Sequence, residues 1–430
     1  MFFGLARVIV PARSFAALCV EGDGGYVAVV GISFARRLDA VQPSVTLAMN
    51  ARAAELRQKG VDVFAFGVGE PDFDPPPFVL DRARSAIGEG VSKYTAVTGI
   101  APLKEAICAR TKAARGWAPK PSQVTVSVGA KHALFNLALA LYEPGDEVVI
   151  PAPYWVSYPE QVKLCGAEPV YVPTDEASGF KMSPDAFARA LSPRTKAVIL
   201  CTPSNPTGSA YDERELRALL EVWEKSNAWL IVDEIYADLV YDGFVHASAA
   251  KLAETARDRM VVVDGVSKTY AMTGWRIGWS IAPEPLAKAL DTVQGQSTTN
   301  PTAVAQQAAL AALTGPQEEV ERMRATFEKR RTAMVEGLRS IPGVSCRMPE
   351  GAFYAFADCR ALYGIPYRGK PIANDEDVAF FLLDEAHVAA VPGGAFGAPG
   401  YVRFSYATSE ERIAGGIASI KRAIATHRPA

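Results

Sequence analysis

The chain has 430 residues, enough for two or three domains at roughly 100–200 residues each. Hydrophobic residues at 49% and charged residues at 21% are the mixture of an ordinary globular protein. The formal net charge of -2 gives no overall field that would attract nucleic acid or an anionic membrane. No uninterrupted apolar run is long enough to span a bilayer. We therefore expect neither a nucleic-acid partner nor a membrane partner.

Cysteine and histidine are both sparse and scattered. The six cysteines form no Cys-x-x-Cys pair, which argues against a disulfide framework or a zinc site and for a reducing, cytoplasmic compartment. The four histidines are far apart in the sequence, so we expect no metal site.

Residues 1–31 differ from the rest of the chain. Short apolar patches are interrupted by Pro11, Arg13 and the glycines at 22–25, so the unbroken apolar core of a signal peptide is absent. The first twenty residues contain arginines and serine but no acid, as in a transit peptide, until Glu21 and Asp23 break that pattern. We predict a disordered or mis-started extension, with a targeting segment as the alternative. Cleavage of the mature protein near residue 30 would favour the alternative.

The next segments mix helical and extended patterns. Residues 33–59 have a helical pattern with a break at Pro43, and residues 61–66 have the pattern of a strand. A loop rich in glycine and proline follows at 67–75. Gly69 in this loop is either a turn residue or a place where a ligand meets bare backbone.

From residue 76 the chain alternates between helices and strands. Helices are predicted at 79–89 and 102–115 and, after the segment 129–132, through residue 141; strands are predicted at 124–128, 147–150, 168–172, 196–200, 230–233 and 261–263. This alternation predicts an α/β fold with a mostly parallel central sheet flanked by helices. Ligands in such sheets bind at the carboxyl ends of the strands. The residues that follow predicted strands include Gly129, Trp155, Asn205, Asp233 and Lys268.

The remaining sequence predicts a second, smaller α+β domain. Helical patterns dominate residues 301–341, and strand patterns recur at 350–356, 388–392 and 401–406. The strands at 61–66 and after 350 have no place in the regular alternation, so we expect both chain ends to build this domain. The predicted units are the extension at 1–31, an N-terminal arm with part of the small domain at 32–75, a large domain at 76–315 and a small C-terminal domain at 316–430.

Lys268 lies just after the buried strand at 261–263, on a predicted loop. Most lysines are solvated, but burial at a strand end favours the neutral, nucleophilic amine, which forms imines with aldehydes. Asp233 would pair with a protonated ring nitrogen, and Trp155 would stack on a ring. Together these residues suit a planar aromatic cation that carries an aldehyde.

A phosphate group would complete that ligand. The segment 129–131 lies between a strand and a helix, where free backbone N–H groups bind phosphate, and Arg276 would add a bidentate contact. Asn205 and Tyr236 could hydrogen-bond a ring oxygen. Each residue also has an ordinary role: Asp233 could cap a helix, Trp155 could lie in the core, and Asn205 could belong to a β-turn. Their joint order along one sheet favours the ligand.

Eight stretches carry a resemblance to a known family. They are residues 69–74 (Gly-Glu-Pro-Asp-Phe-Asp), 93–100 (Lys-Tyr-Thr-Ala-Val-Thr-Gly-Ile), 151–158 (Pro-Ala-Pro-Tyr-Trp-Val-Ser-Tyr), 203–208 (Pro-Ser-Asn-Pro-Thr-Gly), 232–236 (Val-Asp-Glu-Ile-Tyr), 267–278 (Ser-Lys-Thr-Tyr-Ala-Met-Thr-Gly-Trp-Arg-Ile-Gly), 351–354 (Gly-Ala-Phe-Tyr) and 403–409 (Arg-Phe-Ser-Tyr-Ala-Thr-Ser). The chain resembles the class I (fold type I) pyridoxal-phosphate aminotransferases. It is most similar to the bacterial branch that contains aspartate aminotransferases, some of which also use prephenate. The resemblance runs from about Ser33 to the C-terminus.

The resemblance implies a homodimeric enzyme that binds pyridoxal 5'-phosphate and converts amino acids and 2-oxo acids. By this resemblance Lys268 would form the imine and transfer the proton, next to the cofactor-binding Ser267. Asp233 would pair with the pyridine nitrogen, Tyr236 and Asn205 would contact the ring hydroxyl, and Trp155 would stack on the ring. The phosphate would be bound by Gly129, Ala130, Lys131 and Arg276, and by Tyr94 from the neighbouring subunit. Arg403 would clamp the substrate α-carboxylate with the backbone of Gly69, beside Trp155 and Asn205.

Three departures from the family pattern concern the substrate and the phosphate. The stretch before Asn300 lacks the arginine that grips a distal carboxylate in the animal and enteric branch. The bacterial branch uses a lysine on a helix, where this chain has Arg110, so Arg110 is expected to bind that carboxylate. Prephenate-using relatives carry lysine where Gln42 stands, which makes prephenate use less expected. Gly265 replaces a serine of some relatives, which removes one phosphate hydrogen bond.

The expected reaction is L-aspartate + 2-oxoglutarate to oxaloacetate + L-glutamate. The alternative is an aminotransferase that prefers aromatic amino acids, prephenate or alanine. A lyase or synthase on the same fold is a further rival. A transcription regulator is disfavoured because residues 1–32 are too short and glycine-rich for a helix-turn-helix domain.

Overall fold

The computed structural model describes residues 19–22, 25–28, 34–41, 45–253 and 256–427. The strands are β1 (Cys19–Gly22), β2 (Gly25–Ala28), β3 (Phe64–Ala65), β4 (Val124–Ser127), β5 (Glu147–Ala152), β6 (Glu168–Pro173), β7 (Thr195–Cys201), β8 (Trp229–Asp233), β9 (Met260–Gly265), β10 (Gly278–Ile281), β11 (Ser345–Cys346), β12 (Tyr354–Asp358), β13 (Pro366–Tyr367), β14 (Lys370–Pro371), β15 (Val388–Ala389), β16 (Val391–Pro392) and β17 (Tyr401–Ser405). The helices are α1 (Val45–Gln58), α2 (Pro77–Gly88), α3 (Ala101–Arg115), α4 (Ala130–Leu141), α5 (Ser157–Leu164), α6 (Pro184–Ala190), α7 (Glu213–Trp223), α8 (Ala249–Leu252), α9 (Val266–Thr269), α10 (Glu284–Ser297), α11 (Ala303–Thr314), α12 (Glu318–Arg339), α13 (Asp375–Glu385) and α14 (Glu410–His427).

A seven-stranded sheet in the order β4-β10-β9-β8-β7-β5-β6 forms the centre of the molecule. Its strands run in one direction except β10, which is antiparallel to both neighbours. The predicted mostly parallel sheet is therefore confirmed. The sequence analysis missed β10, because its four residues follow a glycine and an arginine without an apolar run of strand length.

Helices cover both faces of this sheet. Along β8, Leu230 and Val232 pack in a core with α2, α3, α7 and α11, whereas Ile231 packs with α4, α5 and α10. A strand buried on both faces is apolar throughout, as parallel strands between helix layers usually are. The only polar side chains that such a strand can present to a ligand are those at its end, which is where Asp233 stands.

A smaller antiparallel sheet, β11-β12-β17-β16, packs against α12 and α13, and α14 packs on these two helices. β3 pairs in parallel with β15, so a segment near the start of the chain joins one near its end. Arg412 on α14 stabilises this pairing, because it donates hydrogen bonds to the carboxylate of Asp62 at 2.6 Å and to the carbonyl oxygen of Val63 at 2.9 Å. The arrangement agrees with a small domain built from both chain ends, although the exact domain limits stay a prediction.

Several local expectations need correction. Within the extension expected to be disordered at 1–31, β1 and β2 pair as an antiparallel hairpin; the other residues of that range, and Gln42, lie outside the described residues. Of the strand predicted at 61–66 only the two residues of β3 are extended and paired. The strand predicted at 388–392 is two strands in different sheets. Lys268 lies in the one-turn helix α9 and not in a loop.

The described residues also bear on membranes, metals and disulfides. No helix among them is both long and apolar enough to cross a bilayer, and they contain no cluster of three or more potential metal ligands. Cys108, Cys165, Cys201, Cys346 and Cys359 are free thiols.

Candidate active site

A cavity of about 1360 Å³ opens at the carboxyl ends of the central strands. Cavities of this kind at the ends of parallel strands are the usual ligand sites of α/β proteins. Most of the residues singled out in the sequence line it: Gly69, Ala130, Lys131, Trp155, Asn205, Asp233, Tyr236, Ser267, Lys268, Arg276 and Arg403. Segments distant in the sequence therefore meet at one site.

Lys268 is a half-buried lysine without a carboxylate partner within ion-pairing distance among the described residues. Its Nζ donates a hydrogen bond to the carbonyl oxygen of Gly69. Burial lowers the pKa of Lys268 to about 8, with Arg403 and Arg276 acting in the same direction and Glu70 opposing them. A lysine with this pKa has a much larger neutral fraction near physiological pH than an ordinary lysine, and the neutral amine can act as a nucleophile and as a base.

Asp233 is the last residue of β8, and its carboxylate is hydrogen-bonded on both oxygens. The hydroxyl of Tyr158 donates to Oδ2 at 2.7 Å, and the backbone N–H of Ile235 donates to Oδ1 at 3.2 Å. Burial raises the pKa of Asp233 to about 6, while these two hydrogen bonds limit the rise. The carboxylate is therefore ionised at neutral pH and can face a cationic ring nitrogen.

The start of α4 forms a cradle suited to an anion. Gly129 has φ 82° and precedes the helix, and its carbonyl accepts from the backbone N–H of His132 at 3.0 Å. The backbone N–H groups of Ala130 and Lys131, in contrast, have no acceptor within the helix. A Cβ atom at Gly129 would lie 2.6 Å from Nη2 of Arg276. A Cβ atom at Gly278 would lie 2.3 Å from the backbone nitrogen of Ala130. Both glycines allow the arginine and the helix start to approach each other closely, as a shared phosphate would require.

Trp155 and Lys131 form the next part of the wall. The Nζ atom of Lys131 lies 5.0 Å from the centroid of the Trp155 ring, within cation–π range. The ring of Tyr158 meets Trp155 edge-on at 5.2 Å between centroids. Lys131 forms no ion pair with a described residue, whereas Lys163 on the same wall pairs with Glu160 at 2.8 Å.

Arg403, on β17, lies at the other side of the cavity and is only 4% exposed. Its Nη1 donates to Oδ1 of Asn205 at 2.8 Å, and its Nη2 donates to the carbonyl oxygen of Gly67 at 2.9 Å. Among the described residues no carboxylate pairs with it, and its Nε has no hydrogen-bond partner. Burial lowers the pKa of Arg403. A buried guanidinium held only by neutral oxygens is prepared for an anionic ligand, because a carboxylate would offset its desolvation.

Tyr236 and Ser267 complete the described wall. The hydroxyl of Tyr236 is hydrogen-bonded to that of Tyr354 at 2.9 Å, and Tyr354 also lies under the guanidinium of Arg403 at 4.5 Å. Tyr236 thus connects the region of Asp233 with the region of Arg403. Ser267 is buried beside Lys268 and lines the cavity.

Three predicted residues are placed elsewhere. Gly129 packs behind Arg276 and does not line the cavity. Tyr94 is 88% exposed on the surface of the protomer. Arg110 does not line the cavity either, and its Nη2 pairs with Oδ2 of Asp238 at 3.4 Å. The structure thus does not bring Arg110 to the site expected for a distal carboxylate.

The sequence analysis did not assign roles to Tyr158 and Tyr354. Both occur in the motif stretches that carry the family resemblance. Tyr158 follows Trp155 by three residues, the spacing that places two side chains on one face of a helix turn. This spacing was a usable signal for Tyr158. Tyr354 offered no such signal, because its contact with Tyr236 joins residues 118 positions apart.

Comparison with known proteins agrees with this geometry. Residues 61–420 match the family described as aminotransferase class I and II. An aspartate aminotransferase of Geobacillus stearothermophilus is 46% identical over 91% of this chain and 98% of its own length. An aspartate/prephenate aminotransferase of Cereibacter sphaeroides is 45% identical over 89% and 96%. The crystal structure of an aspartate aminotransferase from Rhizobium meliloti superposes with a TM-score of 0.89 at 43% identity, covering 92% of this chain and 99% of that one. The resemblance in the motifs is thereby confirmed, and the chain belongs to the class I and II aminotransferases.

Proposed function

We propose that the protein is a pyridoxal-phosphate-dependent aminotransferase that uses L-aspartate and 2-oxoglutarate. The observation that carries the proposal is that one cavity contains a lysine with a lowered pKa and, across from it, a buried arginine that forms no ion pair with a described carboxylate. Lys268 supplies an amine at the end of the central sheet, and Arg403 supplies a carboxylate site on the facing domain. The names of the relatives, aspartate aminotransferase among them, support the choice of aspartate.

The donor set of the cavity fits pyridoxal 5'-phosphate. Asp233 would face the ring nitrogen, Trp155 would cover the ring, and the cradle at Gly129 with Arg276 would hold the phosphate. The fit rests on the close approach of Arg276 to Gly129, a space that a Cβ atom would fill. When bound, the cofactor supplies an electron sink for the negative charge that develops at the substrate Cα.

The chain's own residues would position the substrate and move its proton. Arg403 would hold the α-carboxylate in a bidentate contact, while Asn205 keeps the guanidinium oriented through its Oδ1. Lys268 Nζ would take the proton from Cα and return it during the same half-reaction. Its lowered pKa suits both transfers, because a base works best when its pKa lies near the working pH.

We further propose that Lys131, rather than Arg110, contacts the distal carboxylate of aspartate. Lys131 lines the cavity and has no ion-pair partner among the described residues, while Arg110 is held by Asp238 outside the lining. The backbone N–H of Lys131 can still serve the phosphate cradle, because the side chain turns towards Trp155.

We also propose that the active protein is a homodimer in which Tyr94 reaches the cofactor phosphate of the neighbouring subunit. A tyrosine that is 88% exposed on one protomer is available for such a contact. Measuring molar mass in solution, with Tyr94→Phe as the variant, tests this. A fully active monomer would contradict it.

Prephenate is a second candidate substrate, because relatives at similar identity are named aspartate/prephenate aminotransferases. Gln42 is neutral where prephenate-using relatives carry lysine, so we expect prephenate to react more slowly than 2-oxoglutarate. A rate with prephenate equal to or above that with 2-oxoglutarate would reverse this order.

The deciding experiment is a single half-reaction followed by cofactor absorbance. The holoenzyme is mixed with aspartate alone, and separately with alanine, phenylalanine or glutamate, without an amino acceptor. Transamination converts the cofactor to its amino form and releases oxaloacetate in equal amount. Release of ammonia or a decarboxylated product instead would point to a lyase, and faster conversion by phenylalanine or alanine than by aspartate would favour the alternative specificity.

A further inference from the structure

A buried group of charges lies behind the strand ends that carry Asp233 and Lys268. We call it the Arg115 cluster, and it consists of Arg115, Glu234, Asp238 and Asp264. Arg115 is the last residue of α3, and its side chain is 9% exposed. None of the four lines the cavity. None of the four residues has a direct role in the proposed transamination. Burying their charges costs desolvation free energy, and this cost needs another explanation.

Arg115 lies within ion-pairing distance of three carboxylates and hydrogen-bonds one of them, Asp238. Its Nη1 lies 2.9 Å from Oδ1 of Asp238, its Nε 3.5 Å from Oε2 of Glu234 and its Nη2 3.8 Å from Oδ2 of Asp264. Only a planar, forked cation can face three acceptors in this way. A lysine could serve at most the nearest of them at short range.

The three carboxylates belong to the two chain segments that deliver the proposed catalytic groups. Glu234 is the neighbour of Asp233 at the end of β8, and Asp264 lies near the end of β9, four residues before Lys268. Asp238 accepts a hydrogen bond at 3.3 Å from the hydroxyl of Thr269, the residue after Lys268. Arg115 therefore joins the segment of Asp233 to the segment of Lys268 from behind.

The electrostatics of the cluster favour a role for the arginine. Burial opposes ionisation of Asp238, yet Arg115 and Arg110 hold its pKa well below the usual range. Burial raises the pKa of Asp264, which Asp238 and Glu234 raise further and Arg115 opposes. Arg110 also pairs with Asp238, and His246 lies 3.5 Å from Glu234. Among the described residues, however, only Arg115 pairs with Asp264 as well. Without Arg115, the carboxylates of the two segments would therefore repel each other in a buried place.

We infer that Arg115 is a positioning residue that fixes the separation between Asp233 and Lys268, and so the distance over which Lys268 transfers the Cα proton. The inference rests on the proposed function. It assigns Arg115 an indirect role, since the guanidinium touches neither cavity nor substrate. A displacement of about 1 Å at a reacting group can cost about 100-fold in rate.

The test compares Arg115→Met with a buried arginine that has no link to the strand ends. Arg331 on α12 is 3% exposed, pairs with Asp242 at 2.8 Å and donates to the carbonyl of Pro349 at 2.9 Å. Arg331→Met therefore removes a comparable buried charge and is expected to lower stability as well. Both variants are purified as holoenzymes and assayed in the aspartate half-reaction.

Two measurements separate positioning from simple destabilisation. The first is the isotope effect with aspartate deuterated at Cα, which rises if proton transfer becomes slower relative to the other steps. The second is the visible circular dichroism of the bound cofactor at rest, which reports its orientation and does not depend on turnover. We expect Arg115→Met to lower the half-reaction rate about 10- to 100-fold, raise the isotope effect and change the dichroism. Arg331→Met should leave the last two as in the wild type.

A wild-type isotope effect and dichroism in Arg115→Met would overturn the inference, whatever happens to thermal stability. If Arg115→Met cannot be obtained folded, Arg115→Lys decides. It keeps the charge but loses the reach, so we expect a smaller rise in the isotope effect, and a wild-type value overturns the inference. If the wild-type protein does not transaminate aspartate, the proposed function is wrong, and this inference, which rests on it, is wrong as well. If the wild type does so and the variants match it, this inference alone fails.

Discussion

The two ends of the cavity are built in different ways. The cofactor end, formed by Lys268, Asp233 and the cradle at Gly129, stands on the carboxyl ends of strands in one sheet. The carboxylate end is centred on Arg403, which is bound to Asn205 and to the carbonyl of Gly67, residues 198 and 336 positions away in the chain. The first end follows from the regular βαβ pattern. The second exists only after β17, which carries Arg403, has packed against the segments of Asn205 and Gly67.

This difference separates chemistry from substrate choice. In the proposed function, groups fixed by the central sheet would hold the cofactor and transfer the proton, which are the same for every amino acid. Groups from the facing domain and the cavity wall hold the carboxylates, which differ among amino acids. Changes at the cofactor end should therefore affect all substrates alike. Changes on the part of the cavity wall that would bind the distal carboxylate, at Lys131, should affect them unequally.

The strongest test of the cofactor end is Lys268→Ala. Loss of the amine removes both the covalent attachment point and the base, so we expect the half-reaction rate to fall ~10,000-fold or more for every amino acid. The absorbance of the lysine-bound cofactor should disappear as well. Lys288→Ala, at an exposed position on α10, is the control and should behave as the wild type. Substantial residual transamination in Lys268→Ala would show that another residue moves the proton.

At the carboxylate end, Arg403→Lys should lower kcat/KM by about 100-fold for aspartate and for alanine alike. Lysine keeps the charge but loses the forked contact, and breaking a buried, hydrogen-bonded charge contact costs about 2–5 kcal/mol. Steady-state kinetics with both amino acids measure this. Arg412→Lys, on the small-domain surface, provides the control. A loss confined to aspartate would mean that Arg403 binds the distal carboxylate instead.

The sequence predicted the cofactor end better than the carboxylate end for a physical reason. Apolar strands that end in Asp233 and just before Lys268 are local patterns, and parallel topology places such ends together. Arg403 was reached only through the family resemblance, because its partners are hundreds of residues away. β10 was missed because it is short, and the one-turn helix α9 was predicted as a loop because four residues leave no periodicity.

Arg110 illustrates the limit most clearly. Its position on α3 suggested a substrate contact, but the sequence could not reveal that Asp238, in a loop far along the chain, would hold it. Lys131 was assigned to the phosphate cup together with its neighbours. Only the three-dimensional arrangement shows its side chain on the cavity wall beside Trp155.

Paired substitutions at Lys131 and Arg110 therefore test which residue affects aspartate more than alanine. Lys131→Ala should lower kcat/KM for aspartate roughly tenfold more than for alanine, because only aspartate has a second carboxylate for the ammonium to attract. Arg110→Ala should affect both amino acids equally, through its contact with Asp238. Each variant thus serves as the control for the other. A loss selective for aspartate in Arg110→Ala, with none in Lys131→Ala, would restore the role expected from the sequence.

The smallest expected effect is a change in the pH profile of Tyr158→Phe. The carboxyl of Asp233 must be ionised to face a ring cation, so activity falls as pH drops through its pKa, which burial raises to about 6. The Tyr158 hydroxyl at 2.7 Å stabilises the ionised form, and its removal raises the pKa of Asp233. A bound ring cation lowers this pKa in both proteins, which leaves the direction of the difference unchanged.

We therefore expect the acid limb of kcat/KM for Tyr158→Phe to move towards higher pH by about one unit, with little change on the alkaline side. Tyr211→Phe is the matched control, because Tyr211 is also buried and its hydroxyl accepts a hydrogen bond from the backbone N–H of Met182 at 2.8 Å and does not donate to Asp233. An acid limb that stays in place, or moves to lower pH, would show that Asp233 does not limit the reaction there. The cofactor end would then depend on Lys268 alone for its response to pH.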